Sequence, residues 1–222
     1  MFVLTIDQRG SRTGTDRVPE LLADLADVPV VRGFERTVGD EVQGVLDDPD
    51  VVVDTALRVL RDGGWSVGIG AGAVDEPLPA SPREGAGPAF VLAREAVEAA
   101  KSRQRPVPVA VRGADAQAAA DADGVLVLLG ALTVRRTPAG WAAVDALRAG
   151  GAPVGGVTAH AAGSRPAGPR PTGRDEPPAQ DVVAAALGVT QQAVSQRLRT
   201  ALWAEEVAAR PAAARLLTRA AG

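Results

Sequence analysis

The first 113 residues alternate between short apolar runs and longer segments with apolar residues at helical spacing, a pattern that few folds accept. Phe2 to Asp7 (FVLTID) is a continuous apolar run ending at a carboxylate, and the following QRGSR contains Gly10, which permits a tight turn. These residues read as a buried strand and a loop. Asp16 precedes RVPELLADLAD, where Val18, Leu21, Leu22 and Leu25 recur at helical spacing, with Asp16 as the cap. Val30 to Val38 and Glu41 to Leu46 are β-prone runs separated by Gly39-Asp40, a hairpin signal. Pro49 opens an amphipathic helix closed by Gly63-Gly64. Trp65 to Val74 (WSVGIGAGAV) is a Gly-rich strand, whose missing side chains let a neighbour or a ligand come close to the backbone. After a Pro-containing loop, Pro88 to Lys101 reads as a helix and Pro106 to Val111 as a last strand, placed at an edge by its two prolines. The predicted order, βα-ββ-αβ-αβ, implies an α/β (α+β) sandwich over residues 1–113.

Beyond Gly113 the chain turns helical and Ala-rich, with a connecting helix predicted over 114–138 and a helical domain over 139–222. Residues 151–178 hold too little apolar mass to pack and read as a Pro/Gly-rich insertion. Val125 to Val134 (VLVLLGALTV) is about half of a membrane span and reads as a buried helix. With no cysteine and a single histidine, thiolate metal sites and histidine clusters are excluded, and Ser-His-Asp catalysis is hard to build because His160 lies in a stretch rich in Ala, Gly and Pro, where it reads as a loop residue. The N-terminus carries Asp7 where a signal sequence would be apolar, so a cytoplasmic protein with no membrane partner is expected. A net charge of −3 argues against nucleic acid, but it is unevenly spread. From His160 onward eight Arg face five acids, giving +3 and leaving −6 for residues 1–159.

AQDVVAAALGVTQQAVSQRLRTALW, Ala179 to Trp203, has the parts of a helix-turn-helix. Val182, Val183 and Leu187 supply a core from the first helix, small Ala184 allows a close crossing, and Gly188 sits where the turn needs a positive φ. Thr190 caps the second helix, with Val194, Leu198 and Ala201 inward. Outward lie Gln191, Gln192, Ser195, Gln196 and Arg199, hydrogen-bonding side chains without an acid among them. Glutamine pairs with adenine edges, and Arg197 and Arg199 neutralise phosphate, which suits a recognition helix at about 190–201 in the major groove of double-stranded DNA. The plain alternative is a helical hairpin with a Gln-rich face. Such modules work commonly as dimers. Leu202, Val207, Leu216 and Leu217 offer either a homodimer surface or core packing.

Five segments, TIDQRGSR, TVGDEVQGVL, VGIGAG, GPAFVLAREAVEAAK and LGVTQQAVSQRL, resemble the SatD family of bacterial proteins over most of the chain. That resemblance implies a helix-turn-helix regulator of transcription with Trp141 in the first helix of its DNA-binding module, and 151–178 as an insertion ahead of the second. The N-terminal segments also look like class III nucleotide cyclases, which implies a ferredoxin-like topology. In that pattern Asp7 and Asp40 match the two carboxylates that hold divalent cations, Mg²⁺ or Mn²⁺, against a triphosphate. Arg94 matches the transition-state arginine, Arg36 stands at the position of a base-selecting lysine, and Phe90 replaces an asparagine. The resemblance therefore implies a degenerate site, one that binds a nucleotide effector or a cation rather than turning over substrate. Without it, Asp40 reads as a hairpin-turn residue and Asp7 as a loop acid.

Overall fold

A computed structural model describes residues 1–11, 14–150 and 180–222. The chain forms two compact units, Met1–Arg135 with Glu205–Gly222, and Arg136–Ala204. In the first, β1 (Phe2–Gln8) runs antiparallel to both β3 (Glu41–Leu46) and β4 (Trp65–Ala71), and β2 (Arg32–Arg36) pairs antiparallel with β3. A fifth strand, β5 (Val109–Gly113), adds parallel to β4. The sheet order is β2-β3-β1-β4-β5. With α1 (Val18–Asp24) and α2 (Pro49–Asp62) between the strands, the first four have the ferredoxin-like connection, and the molecule is α+β. β5 is an edge strand as expected, but it begins at Val109, after Pro106 and Pro108, since a proline has no N–H to give to the ladder.

Period-two alternation sorts β1 onto two faces. Phe2, Leu4 and Ile6 join Val42, Leu46, Val67 and Ile69 in the larger core, beneath α1 and α2. Val3 meets Ala89, Phe90 and Ala93 of α3 (Pro88–Ala100) on the other face. Asp7 shares that second face by the same alternation. The Gly-rich β4 is where α3 comes closest: a Cβ on Gly68 would stand 2.2 Å from the Val97 backbone nitrogen, and one on Gly70 would stand 2.1 Å from the Ala89 carbonyl oxygen. The neighbour that the missing side chains admit is thus a helix backbone. Ala93, Ala96 and Ala100 complete a helix side built to lie tight against the sheet.

Two boundaries differ from those expected. The predicted connector 114–138 contains α4 (Ala116–Arg135), whose Ala118, Ala119, Ala122, Leu126 and Leu129 are buried in the sheet's larger core. The last helix, α8 (Trp203–Ala220), was expected within the helical domain, yet Ala213, Ala214, Leu217 and Ala220 lie in that same core. Small side chains explain both. A Cβ on Gly113 would stand 2.5 Å from the Ala220 carbonyl oxygen, and Asp115 donates its backbone N–H to that oxygen at 3.1 Å. Alanine and glycine give little hydrophobic signal, so the docking is hard to foresee. The stripe proposed on this last helix also divides. Leu217 is buried and Leu216 packs beside it, whereas Leu202 and Val207 are exposed. Leu202 has a φ of 50° in the turn between helices, so it does not share a helical face with the others. Among the described residues, α4 is the one helix long and apolar enough to cross a membrane by length and composition. Its Leu126 side is core, but Leu128 is exposed, so the expectation of a wholly buried helix holds for one side only.

The second unit packs α5 (Pro138–Arg148), α6 (Gln180–Leu187) and α7 (Gln191–Thr200) around Ala146, Val183, Ala184 and Val194. The predicted insertion 151–178, with His160, lies outside the described residues.

Candidate functional site

The turn between α6 and α7 is built by three residues. Gly188 adopts a φ of 63°, Val189 donates its N–H to the Ala184 carbonyl at 3.0 Å, and Thr190 takes extended dihedrals. A positive φ costs glycine little, so the chain reverses without strain. The Thr190 hydroxyl oxygen then accepts from the Ala193 N–H at 3.2 Å, capping α7. Inward, Val194 is fully buried, with Leu198 and Leu187 beside it. Val182, expected in this core, is 44% exposed; its place is taken by Val183 and Ala184. The phase of the helix accounts for this, since Val183, Ala184 and Leu187 share one face and Val182 turns off it.

The outer side of α7 is polar along its length. Thr190, Gln191, Gln192, Gln196 and Arg199 are exposed, and Ser195 and Arg197 are half-buried. Arg199 donates to the Gln196 side-chain oxygen at 2.9 Å, and the Gln196 amide donates to the Thr200 hydroxyl at 3.4 Å. No acid lies on α7, and its two arginines fall in the last turn. Six of the seven residues singled out from the sequence lie on the capped end or the polar side of one helix, and the half-buried Arg197 borders its core side. Sequence reading did not single out Arg136. Its guanidinium stacks on the Trp141 ring at 4.3 Å and on the Trp203 ring at 5.6 Å, and donates to the Ala201 carbonyl at 3.0 Å. Arg148 covers Trp203 as well, at 4.8 Å. These stacked cations fasten the end of α7 to α5; the only sequence signal was two tryptophans in a chain with six aromatic residues.

The residues carried over from the cyclase pattern divide: Asp7 and Asp40 stand close enough for one charge to act on the other, Arg36 is engaged with Asp16, and Arg94 lies apart on α3. Arg36 and Asp40 line one cavity of about 300 Å³, together with Gln8, Ser11 and Asp16. Arg36 grips both carboxylate oxygens of Asp16, at 2.6 and 2.7 Å, and this hydrogen bonding holds the Asp16 carboxyl below its ordinary value. Asp7 does not line the cavity. Its carboxylate accepts an ion pair from Lys101 at 2.9 Å, which in turn binds Glu98 at 2.7 Å. Burial pushes the Asp7 carboxyl up, Lys101 pulls it down, and the charges of Asp40 and Glu41 add to the rise. Lys101 is also raised: burial lowers it, but two carboxylates outweigh the burial. The asymmetry is physical, since Lys101 has two anions and Asp7 has one cation and two anionic neighbours. Arg94 is exposed on α3 and makes no ion pair among the described residues. Phe90 instead packs in the core on that side of the sheet.

An ammonium thus stands against the carboxylate that a Mg²⁺ or Mn²⁺ ion would need, and among the described residues no three acidic or histidine side chains are grouped to hold a metal. Lys101 is the residue that sequence reading missed. It ends α3 and carries no motif, so only the sheet geometry brings it to β1. Gln8 was also passed over. It is buried, accepts the Arg17 N–H at 2.9 Å and donates to the Thr15 carbonyl at 2.7 Å, holding the loop that forms the cavity wall. Comparisons with protein-family models, with curated proteins and with solved structures found no match to this chain.

Proposed function

We propose that the chain is a cytoplasmic DNA-binding transcription regulator of the SatD type, reading double-stranded DNA with α7. The observation that carries this reading is the outer side of α7: a Thr-capped helix after a glycine turn, with Gln191, Gln192, Gln196 and Arg199 exposed and no acid among them. Glutamine amides match the paired donor and acceptor of adenine in the major groove, and Arg197 and Arg199 supply charge for phosphate. The opposite side of the helix is committed to the core through Val194 and Leu198, so the polar side is the one left to meet a partner.

Selection of bound sequences from a random duplex pool tests the reading, followed by titration of the winning site at several salt concentrations. Arg199→Ala is expected to weaken binding by about ten-fold and to lower the salt slope by about one. Gln192→Ala should relax the preference at one base position. Retention that ignores both changes and ignores salt would remove α7 from this role. Point variants are the right probe, because a deletion from 179 onward would also strip Leu217 and its neighbours from the sheet's core.

The cavity lined by Arg36 and Asp40 favours a second reading of the first unit, as a sensor for a small nucleotide effector. Such a ligand must bind one state of the protein better than another to alter DNA affinity. Incubation with nucleoside triphosphates and Mn²⁺, comparing the parent chain with Asp40→Ala, separates sensor from enzyme: binding without product supports the sensor, and product lost in the variant overturns it.

A further inference from the structure

One side of α4 closes the core, and the other presents a continuous apolar strip. At 100° per residue, Gly124, Val125, Ala131 and Leu132 all fall within about 60° of Leu128 on the helical wheel. Leu128 is 68% exposed, and nothing lies within 4 Å of where a Cβ on Gly124 would stand. Leu132 is half-buried, and Val125 and Ala131 touch the core at the margins of the strip. A lone exposed leucine is ordinary, but one in line with the open Gly124 and with Leu132 on one helix face calls for a partner. Asp121 and Arg135 bound it on the same face, each seven residues from Leu128 and so about 10.5 Å from it along the axis. Both are exposed. Asp121 accepts from Gln117 of its own helix at 3.1 Å, and Arg135 makes no ion pair among the described residues.

That symmetry selects the partner. We propose that the strip is the contact between two copies of this chain, with α4 packed antiparallel on its counterpart about a twofold axis at Leu128. In this arrangement Leu128 meets the partner's Leu128, the open position at Gly124 receives the partner's Leu132, and Ala131 receives the partner's Val125. Asp121 then faces the partner's Arg135 at one end, and the reverse holds at the other. An in-register parallel pair would set like charges together, so charge pattern and size pattern agree on one orientation. The surface is isologous, and the contact stands whether or not α7 binds DNA.

Sedimentation equilibrium on the full chain at micromolar concentration reads the result. The parent chain is expected to be a dimer and Leu128→Asp a monomer. Asp121→Arg or Arg135→Asp alone should raise the dissociation constant by about ten-fold, because each change breaks two ion pairs per dimer. The double variant should return to within about three-fold of the parent, a rescue that misfolding cannot imitate. Because the chain has no cysteine, Leu128→Cys should form a disulfide-linked dimer under mild oxidation, whereas Val134→Cys, off the strip, should not. A monomeric parent at 100-fold higher concentration overturns the proposal. So does a dimer that ignores the charge exchange. Co-sedimentation of a monomeric parent with anionic phospholipid vesicles would also overturn it, assigning the strip to a lipid surface.

Discussion

Replacing Gly68 by alanine should damage the fold by an amount that follows from the distance between β4 and α3. The added Cβ would lie 2.2 Å from the Val97 backbone nitrogen, 2.6 Å from its Cα and 2.7 Å from the Ala93 carbonyl oxygen. Ordinary contact is about 3.5 Å, so α3 must retreat by about 1.3 Å. The obstacles are backbone atoms held in a helix, and no rotamer change can relieve them. Overpacked cores typically lose 1–3 kcal/mol, and a backbone clash belongs at the upper end, about 3 kcal/mol. With a urea slope of about 2 kcal/mol/M, the unfolding midpoint should fall by about 1.5 M. Urea titration followed by far-UV circular dichroism measures it. Gly33→Ala serves as the control, since nothing lies within 4 Å of its Cβ position, and its midpoint should stay level or rise slightly. A Gly68→Ala midpoint within about 0.3 M of the parent would refute the close packing of α3 on the sheet.

Two predictions concern pH. Arg36 holds Asp16 below its ordinary value of 3.8, so the stability from this pair is complete above that pH and is lost as pH falls through the folded value; NMR titration of the Asp16 carboxyl should show its midpoint returning upward in Arg36→Gln, and an unmoved midpoint would discount the pair. Asp7 behaves in the opposite sense. Burial raises it above 3.8, so the folded chain holds that proton more tightly than the unfolded one, and stability declines as pH rises through the folded value. Lys101→Met removes the cation opposing the rise and should push the Asp7 midpoint higher still, extending the decline towards neutral pH. An unchanged midpoint would show that the ion pair is not formed.

The sheet was legible because its signals are local. Asp48-Pro49 and Gly63-Gly64 frame α2, and β3 begins and ends where the run EVQGVL does. Element order gave only a sheet covered by helices; the pairing order agrees with the ferredoxin-like topology that the cyclase resemblance implies. The capped turn at Gly188 and Thr190 was equally plain, since each residue acts on its own backbone. What the chain does with alanine was not. Ala213, Ala214 and Ala220 carry α8 into the sheet's core, yet alanine suits an exposed helix just as well, and only the distant partner decides. The same holds for the Lys101 and Asp7 pair, whose members are 94 positions apart in sequence. Ionic partners at that range leave no periodic trace. Val182 shows a subtler limit: in a helix of eight residues, one step of phase moves a valine from core to water.

The first unit is interrupted: its opening stretch stops at Arg135, and its final helix is made only after residue 205. A ribosome therefore finishes the smaller three-helix unit before it has synthesised the piece that completes the larger one. Until Leu217 and Ala220 emerge, the nascent sheet exposes the apolar ground beneath α8. A stop after Ala204 and before α8 is complete would release a chain whose three-helix unit is whole and whose sheet is open on one side, a form prone to proteolysis and aggregation. Synthesis of α8 is thus the step that closes the core of the first unit, and that unit's stability rests on a segment made last of all its parts.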